Sequence, residues 1–344
     1  MKQNQKSLCS FDNELTTGIE DIEFNFRGIR EIPWLEFLLN PRRLRGSDFL
    51  MRWSQGVWSE KRITDGINKT TEFFALPYGT SSTAPENDVR KYELYFELLD
   101  EVGHGDIKRP DLLIFNVNDK PYIQSKIDSI DQKYKIPFVI NSGSDHQEYL
   151  RREEIFPFIH EDDEDVRAIL SKAIIAVECE NSLWKASQMP DYGAIMRPQR
   201  RLGGRLGFKK SAVMPTVIIK DEDMQPLISW QDSTGVPIHI WHVFFDLAYG
   251  LALDEARRLV REGLIEAKSQ TFQAPNGIIT SKNIYKYYYC YAYNLGYAES
   301  DPTLSARFIV DKNGHILPYV SFEGGSLVIH EDALHILQEI QNSN

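Results

Sequence analysis

The chain has 344 residues, 42% hydrophobic and 26% charged, enough apolar content to bury a large core and to exclude wholesale disorder. Its formal net charge of −11 argues against a protein coated all over by nucleic acid. No apolar run reaches the ~18–20 residues of a membrane span, the first residues lack a secretory h-region, and three scattered cysteines (Cys9, Cys179, Cys290) make neither a disulfide framework nor a Cys-rich zinc site, so a soluble cytoplasmic protein without membrane contact is expected.

Residues 1–86 are mixed and are taken as an N-terminal region. Within them IPWLEFLLN reads as a short helix stopped by Pro41, and the following stretch carries Arg42, Arg43, Arg45, Arg52, Lys61 and Arg62 among aromatics, with Trp53 and Trp58 as packing residues. The run from Pro77 to Pro85 is a loop by composition. Val89, Tyr92, Tyr95, Phe96 and Leu99 fall near helical spacing, predicting a helix over 88–102 that ends before Gly103 and Gly105. The sequence RPDLLIFN then predicts a strand opening at Asp111, with Pro110 at its start, where a missing N–H does no harm. Residues from about 117 to 172 read as a largely helical insertion that ends in the acidic run HEDDEDV.

AIIAVECEN (173–181) is dense in β-branched residues, the pattern of a buried strand. MPTVIIKD (214–221) and PIHIWHVFF (237–245) predict two more. DLAYGLALDEARRLVREG is expected to be an amphipathic helix ending at Gly263. Further strands follow in NIYKYYYCYAYNLG, whose tyrosines are expected to pack in a sheet, and in ARFIVDKNGHILPYVSFEGG, with a turn at Asn313-Gly314. Strands alternating with helices imply an α/β or α+β core with a mixed sheet, running over 87–344.

The chemistry concentrates at 173–181. Side chains alternate along a strand, so Glu178 and Glu180 share one face and Cys179 takes the other. Two like charges at the end of a buried strand repel and lose hydration, and a hard divalent cation compensates them well. Asp111, at the lip of its own strand, supplies a third carboxylate if the two strands are neighbours. A second feature is local: from Tyr192 to Lys220 there is no acidic residue, while Arg197, Arg200, Arg201, Arg205, Lys209, Lys210 and Lys220 contribute +7. Arginine suits bidentate contacts to phosphate and guanine, and Gly203, Gly204 and Gly207 allow close backbone approach to a groove.

Pro110-Asp111, followed by a hydrophobic strand ending Glu178-Cys179-Glu180, resembles the PD-(D/E)XK nuclease signature, a superfamily that includes many type II restriction endonucleases. The motif usually ends in Lys; this chain holds Glu180 there, as a minority of restriction enzymes do. The resemblance implies a restriction-endonuclease-like mixed central sheet flanked by helices. It implies a Mg²⁺-dependent endonuclease that hydrolyses double-stranded DNA at a short specific sequence, commonly as a homodimer, with no small-molecule cofactor. Carried over residue by residue, Asp111, Glu178 and Glu180 would bind the metal and activate water, and Lys185 would stabilise charge in place of the motif lysine. Glu97, on the helix before the Pro-Asp strand, would be an added acidic ligand, with Glu93 one turn away. The basic stretch (Arg197, Arg200, Arg201, Arg205, Lys209, Lys210) would contact DNA, and 1–86 would act as a DNA-contacting arm or subdomain. The alternatives are a structure-specific repair or recombination nuclease and a non-catalytic DNA-binding or regulatory protein, in which Glu178 and Glu180 pair with arginines. A carboxylate-pair glycosidase explains neither Asp111 nor the basic run. His239 and His242, three apart on a predicted strand, face opposite sides and make no zinc site.

Overall fold

The run Ile175-Ala176-Val177 is apolar on both faces, which fits a strand with neighbours on each side and cover above and below. The computed structural model describes residues 23–24, 45–79, 108–133, 162–273, 279–310 and 316–343. In chain order these form β1 (Glu23–Phe24), α1 (Arg45–Asn68), β2 (Phe73–Pro77), β3 (Leu112–Asn116), α2 (Lys120–Lys133), α3 (Glu164–Leu170), β4 (Ile175–Asn181), β5 (Arg197–Pro198), β6 (Leu206–Gly207), β7 (Thr216–Lys220) and α4 (Asp221–Thr234). They continue with β8 (Ile238–Val243), β9 (Leu247–Ala252), α5 (Leu253–Arg261), β10 (Lys268–Gln273), β11 (Ile279–Tyr288), β12 (Tyr293–Ala298), β13 (Pro302–Val310), β14 (Ile316–Gly324), β15 (Leu327–Ile329) and α6 (Glu331–Ser343). None of the described helices is long and apolar enough to cross a membrane.

The organising element is a seven-stranded mixed sheet in the order β15-β12-β9-β8-β4-β3-β2. β4 is an interior strand, antiparallel to β3 on one side and parallel to β8 on the other. Alternation sorts its side chains into two cores. Leu113, Phe115, Ala176, Ile238 and Ile240 face a layer built from α2, α3, α4 and α5, together with Val217 and Ile219 of β7. Leu112, Ile114, Ile175, Val177 and Trp241 face Ile63 and Ile67 of α1 and Ala333 and Leu337 of α6.

Several expectations change here. The boundary expected at 86/87 falls between β2 and β3, which pair along five residues, so α1 and β2 are built into the main core. Arg62, expected in a basic DNA-facing region, is buried and donates to the carbonyls of Gly325, Phe244 and Phe245, tying α1 to the sheet. MPTVIIKD forms β7, but β7 belongs to a separate sheet, β10-β11-β7, packed over the central one. The helix expected from Asp246 onward begins only at Leu253; Leu247–Ala252 is strand β9, paired with β8 and β12. Gly250 shows why a strand wins there: a Cβ at this position would lie 2.3 Å from the Tyr293 ring, a close cross-strand approach that only glycine allows. The tyrosine-rich stretch is interrupted at Tyr289–Tyr291 by a 3₁₀ turn between β11 and β12. Within the insertion, α2 and α3 are helical and joined through Asp165, which meets Lys126 at 2.7 Å and Lys133 at 2.6 Å. The helices expected at 32–40 and 88–102 and the Asn313-Gly314 turn lie outside the described residues.

Candidate functional site: a carboxylate cluster at the mouth of the central sheet

Leu112 pairs with Val177 across the β3–β4 ladder, and continuing that antiparallel register sets Asp111 beside Glu178. The Asp111 N–H donates to Val177 O at 2.8 Å, and the Cys179 N–H donates to Asp111 Oδ2 at 2.6 Å. The Asp111 side chain is therefore clamped between the two glutamates by backbone. The Asp111 carbonyl accepts from the N–H groups of Tyr78 and Gly79 at 2.7 and 2.9 Å, so the chain leaving β2 wraps the motif. A Cβ at residue 79 would lie 2.8 Å from Asp111 Cα and from Pro110 O, so the wrap requires glycine.

Glu178 and Glu180 lie on the same face of β4 as Ala176, and Cys179 points to the opposite core, as the alternation predicts. Three carboxylates that are 111, 178 and 180 in sequence thus meet on one face of two paired strands. Asp111 is 8% exposed and Glu178 3%. Two lysines answer them. Lys108 Nζ lies 2.5 Å from Glu178 Oε1. Lys220, at the end of β7, reaches Asp223 at 3.2 Å and is in electrostatic range of Glu180.

Burial pushes the Glu178 carboxyl well above the usual carboxylate range; the Lys108 ammonium opposes this, and the charges of Asp111 and Glu180 add to it. Burial also pushes Glu180 up to about 7, against the attraction of Lys220 and Lys108. Burial alone would lower both lysines, but Glu178 and Asp111 outweigh it at Lys108, and Glu180 and Asp223 at Lys220, so both ammoniums are held above their ordinary value. The second Glu178 oxygen, Oε2, is buried and has no hydrogen-bond partner among the described residues. An orphaned carboxylate oxygen beside two further carboxylates is a hard oxygen donor set of the kind Mg²⁺ takes, so these residues fit the ion. Among the described residues no three His, Cys, Asp or Glu side chains already stand at metal-ligand geometry.

Lys185 does not join this group. The chain turns away after β4, and the Lys185 ammonium goes to Asp301 at 2.6 Å. The lysines that do converge, Lys108 and Lys220, were not singled out from sequence as site residues. Lys108 stands three residues before Asp111, and Lys220 closes the acid-free run; only the fold brings them to Glu178 and Glu180. Glu178 pairs with a lysine, Lys108. Glu93 and Glu97 lie outside the described residues.

The acid-free stretch folds into the small β5–β6 hairpin, with Gly203 and Gly204 at φ 64° and 88° in its turn. Arg197, Arg200, Arg201, Arg205, Lys209 and Lys210 are all exposed. Arg205 is partly used internally, donating to Leu202 O and Glu262 O, and Arg201 donates to Phe208 O. Among the described residues only Lys209 of these six has a carboxylate within 4 Å, Asp191 at 3.8 Å. The structure adds cations from another element. Lys268 of β10 is lowered first by burial and then by Lys286 of β11, Arg201 and Lys210, with Glu266 opposing, so three further cations stand in electrostatic range of it. β11 pairs with β7, whose end carries Lys220, so this basic surface is continuous through one ladder with the carboxylate cluster.

No family model matches the chain, and neither a curated protein nor a solved structure matches it.

Proposed function

We propose that the chain is a Mg²⁺-dependent endonuclease that hydrolyses phosphodiester bonds in double-stranded DNA at a short specific sequence, with a restriction-endonuclease-like core. One observation carries this reading: Asp111, Glu178 and Glu180 share one face at the mouth of two paired strands, with a buried Glu178 oxygen left unpartnered. Asp111, Glu178 and Glu180 would hold the ion, which when bound lowers the pKa of a water and neutralises charge on a phosphoryl oxygen. Glu180, beside the ion, would orient the attacking water and accept its proton. Lys220 supplies positive charge beside it in the role first expected of Lys185. Arg197, Arg200, Lys210, Lys268 and Lys286 offer the duplex a phosphate-binding surface beside an otherwise acidic body. A homodimer matches the two-fold symmetry of a palindromic site.

The second reading, a non-catalytic DNA-binding protein, is favoured by the Lys108–Glu178 ion pair, which can serve as a permanent structural bridge. Incubating mixed-sequence DNA with the protein in Mg²⁺ or in EDTA, then sequencing the fragment ends, separates the two. Mg²⁺-dependent ends at one recurring sequence support the endonuclease; intact DNA across divalent ions, with retained binding, supports the binder. Cleavage confined to branched DNA indicates a structure-specific nuclease.

A further inference from the structure

Within the carboxylate cluster, the residue that holds Glu178 is not fixed as the acids are. Asp111, Glu178 and Glu180 stand at the ends of strands locked by ladders on both sides of β4. Lys108 instead lies in the extended segment before β3, and its side chain is 29% exposed while that of Glu178 is 3% exposed. Its ammonium therefore enters the cluster from the solvent edge on a flexible four-carbon stem. It uses one Glu178 oxygen at 2.5 Å and leaves Oε2 without a partner, so the buried carboxylate is only half satisfied. The carboxyl groups of Asp111, Glu178, Glu180 and Asp223 gather around the ammoniums of Lys108 and Lys220, so the site is rich in acidic oxygen of the kind a divalent ion takes.

We propose that Lys108 is an exchangeable occupant of the cation position: its ammonium holds Glu178 in the metal-free protein, withdraws when a divalent cation binds Asp111 and Glu178, and then contacts a phosphate oxygen of the bound DNA. This rests on the metal-dependent reading above. A divalent cation and an ammonium cannot both sit against one buried carboxylate without strong repulsion, because charge interactions there are weakly screened. Withdrawal needs only rotation of the lysine stem, and the displaced charge stays at the mouth of the sheet, where a phosphate must enter. Metal binding and phosphate binding are thereby coupled through one side chain.

The test uses Ca²⁺ alone as the probe, on the full chain without DNA. Calorimetric titration compares wild type with Lys108→Met and Lys108→Arg. Brief acetylation of the wild type with and without Ca²⁺, read by mass spectrometry, reports exposure of each lysine. The expected result is about tenfold tighter Ca²⁺ binding by Lys108→Met, near-wild-type binding by Lys108→Arg, and a severalfold rise in Lys108 acetylation on adding Ca²⁺ with Lys185 unchanged. Equal affinity of Lys108→Met and wild type, or unchanged Lys108 acetylation, overturns the exchange while leaving the endonuclease reading intact, provided the wild type binds Ca²⁺ and cuts DNA with Mg²⁺. A wild type that neither binds Ca²⁺ nor cuts overturns both. Should Lys108→Met fail to fold, the acetylation of wild type decides alone.

Discussion

Asp111 Oδ2 accepts the backbone N–H of Cys179 at 2.6 Å, so a carboxylate on one strand is fastened to the peptide between two carboxylates on the next. That bond fixes the side chain without consuming a charge, and it separates the contribution of geometry from that of charge. Asp111→Asn retains an oxygen to accept from Cys179 and loses only the negative charge. Its expected phenotype is a folded protein with DNA binding in Ca²⁺ largely kept and Mg²⁺-dependent cleavage reduced by about 10³-fold or more. Glu178→Gln is expected to behave alike. Single-turnover cleavage and a filter-binding titration check both, and loss of binding together with cleavage counts against a purely electrostatic role.

The two candidate lysines make opposite predictions. Lys220→Met removes the ammonium beside Glu180 and is expected to cost about 10²-fold in cleavage rate. Lys185→Met breaks only the exposed pair with Asp301, worth well under about 1 kcal/mol, and is expected to leave both rate and melting temperature near wild type. A rate loss confined to Lys185→Met would refute the assignment.

Gly79 wraps Asp111 so closely that an added methyl meets backbone, which cannot move aside as a flexible side chain can. Gly79→Ala is expected to lower stability by about 1–3 kcal/mol and to reduce cleavage beyond what the lost stability explains, because the Pro-Asp turn must shift. Urea melts paired with cleavage assays on the folded fraction measure the two effects.

How far these features can be read from residues alone depends on whether they are local. Strand Ile175–Asn181 is legible because an apolar β-branched run meets two acids at period two, and the opposite setting of Cys179 follows from the same alternation. The strand Leu247–Ala252 is not, since LAYGLA satisfies a helical apolar stripe as well as a strand, and only the approach of Tyr293 to Gly250 decides between them. Lys108 and Lys220 carry no local mark of function. Lys220 reaches Glu180 only because β7, whose last residue is 39 positions beyond Asn181, folds back over β4, and Lys108 reaches Glu178 only because β3 pairs with β4.

The basic hairpin is expected to bind phosphate without regard to sequence. Arg197→Ala and Arg200→Ala, both exposed, should weaken binding to every duplex similarly. Each should also reduce the slope of log K against log salt by about 0.9. Lys268→Ala should do the same if β10 lines the groove. Anisotropy titrations from low to moderate salt give these slopes, and an unchanged slope removes that side chain from the interface.

His242 is fully buried, and neither ring nitrogen has a hydrogen-bond partner among the described residues; burial lowers its pKa to about 3. The unfolded chain therefore takes up a proton near 6.5 that the folded chain refuses. Unfolded protein binds more protons between these values, so the folded state loses stability as pH falls from 6.5 toward 3. At pH 5 the loss from this side chain is about 2 kcal/mol. Glu180 works in the opposite direction: its folded pKa of about 7 is raised from 4.5, so in metal-free protein stability falls as pH rises from 4.5 through 7. Melting temperatures across pH 4–8 in EDTA are expected to show a shallower acid limb in His242→Leu, the remainder coming from the buried His239, and a shallower upper limb in Glu180→Gln, the remainder coming from Glu178.

The pairing of Ile114 with Ile175 has a bearing on how this protein can be rebuilt. The long connection from Val117 to Ile174 leaves and re-enters the molecule at adjacent rungs of one ladder, with Ile174 N–H donating to Ile114 O at 2.8 Å. New chain ends placed between α2 and α3 would leave both anchoring rungs and the buried Ile123, Ile130, Val166 and Ile169 of those helices in place, which makes that stretch the natural position for circular permutation or for inserting a reporter domain.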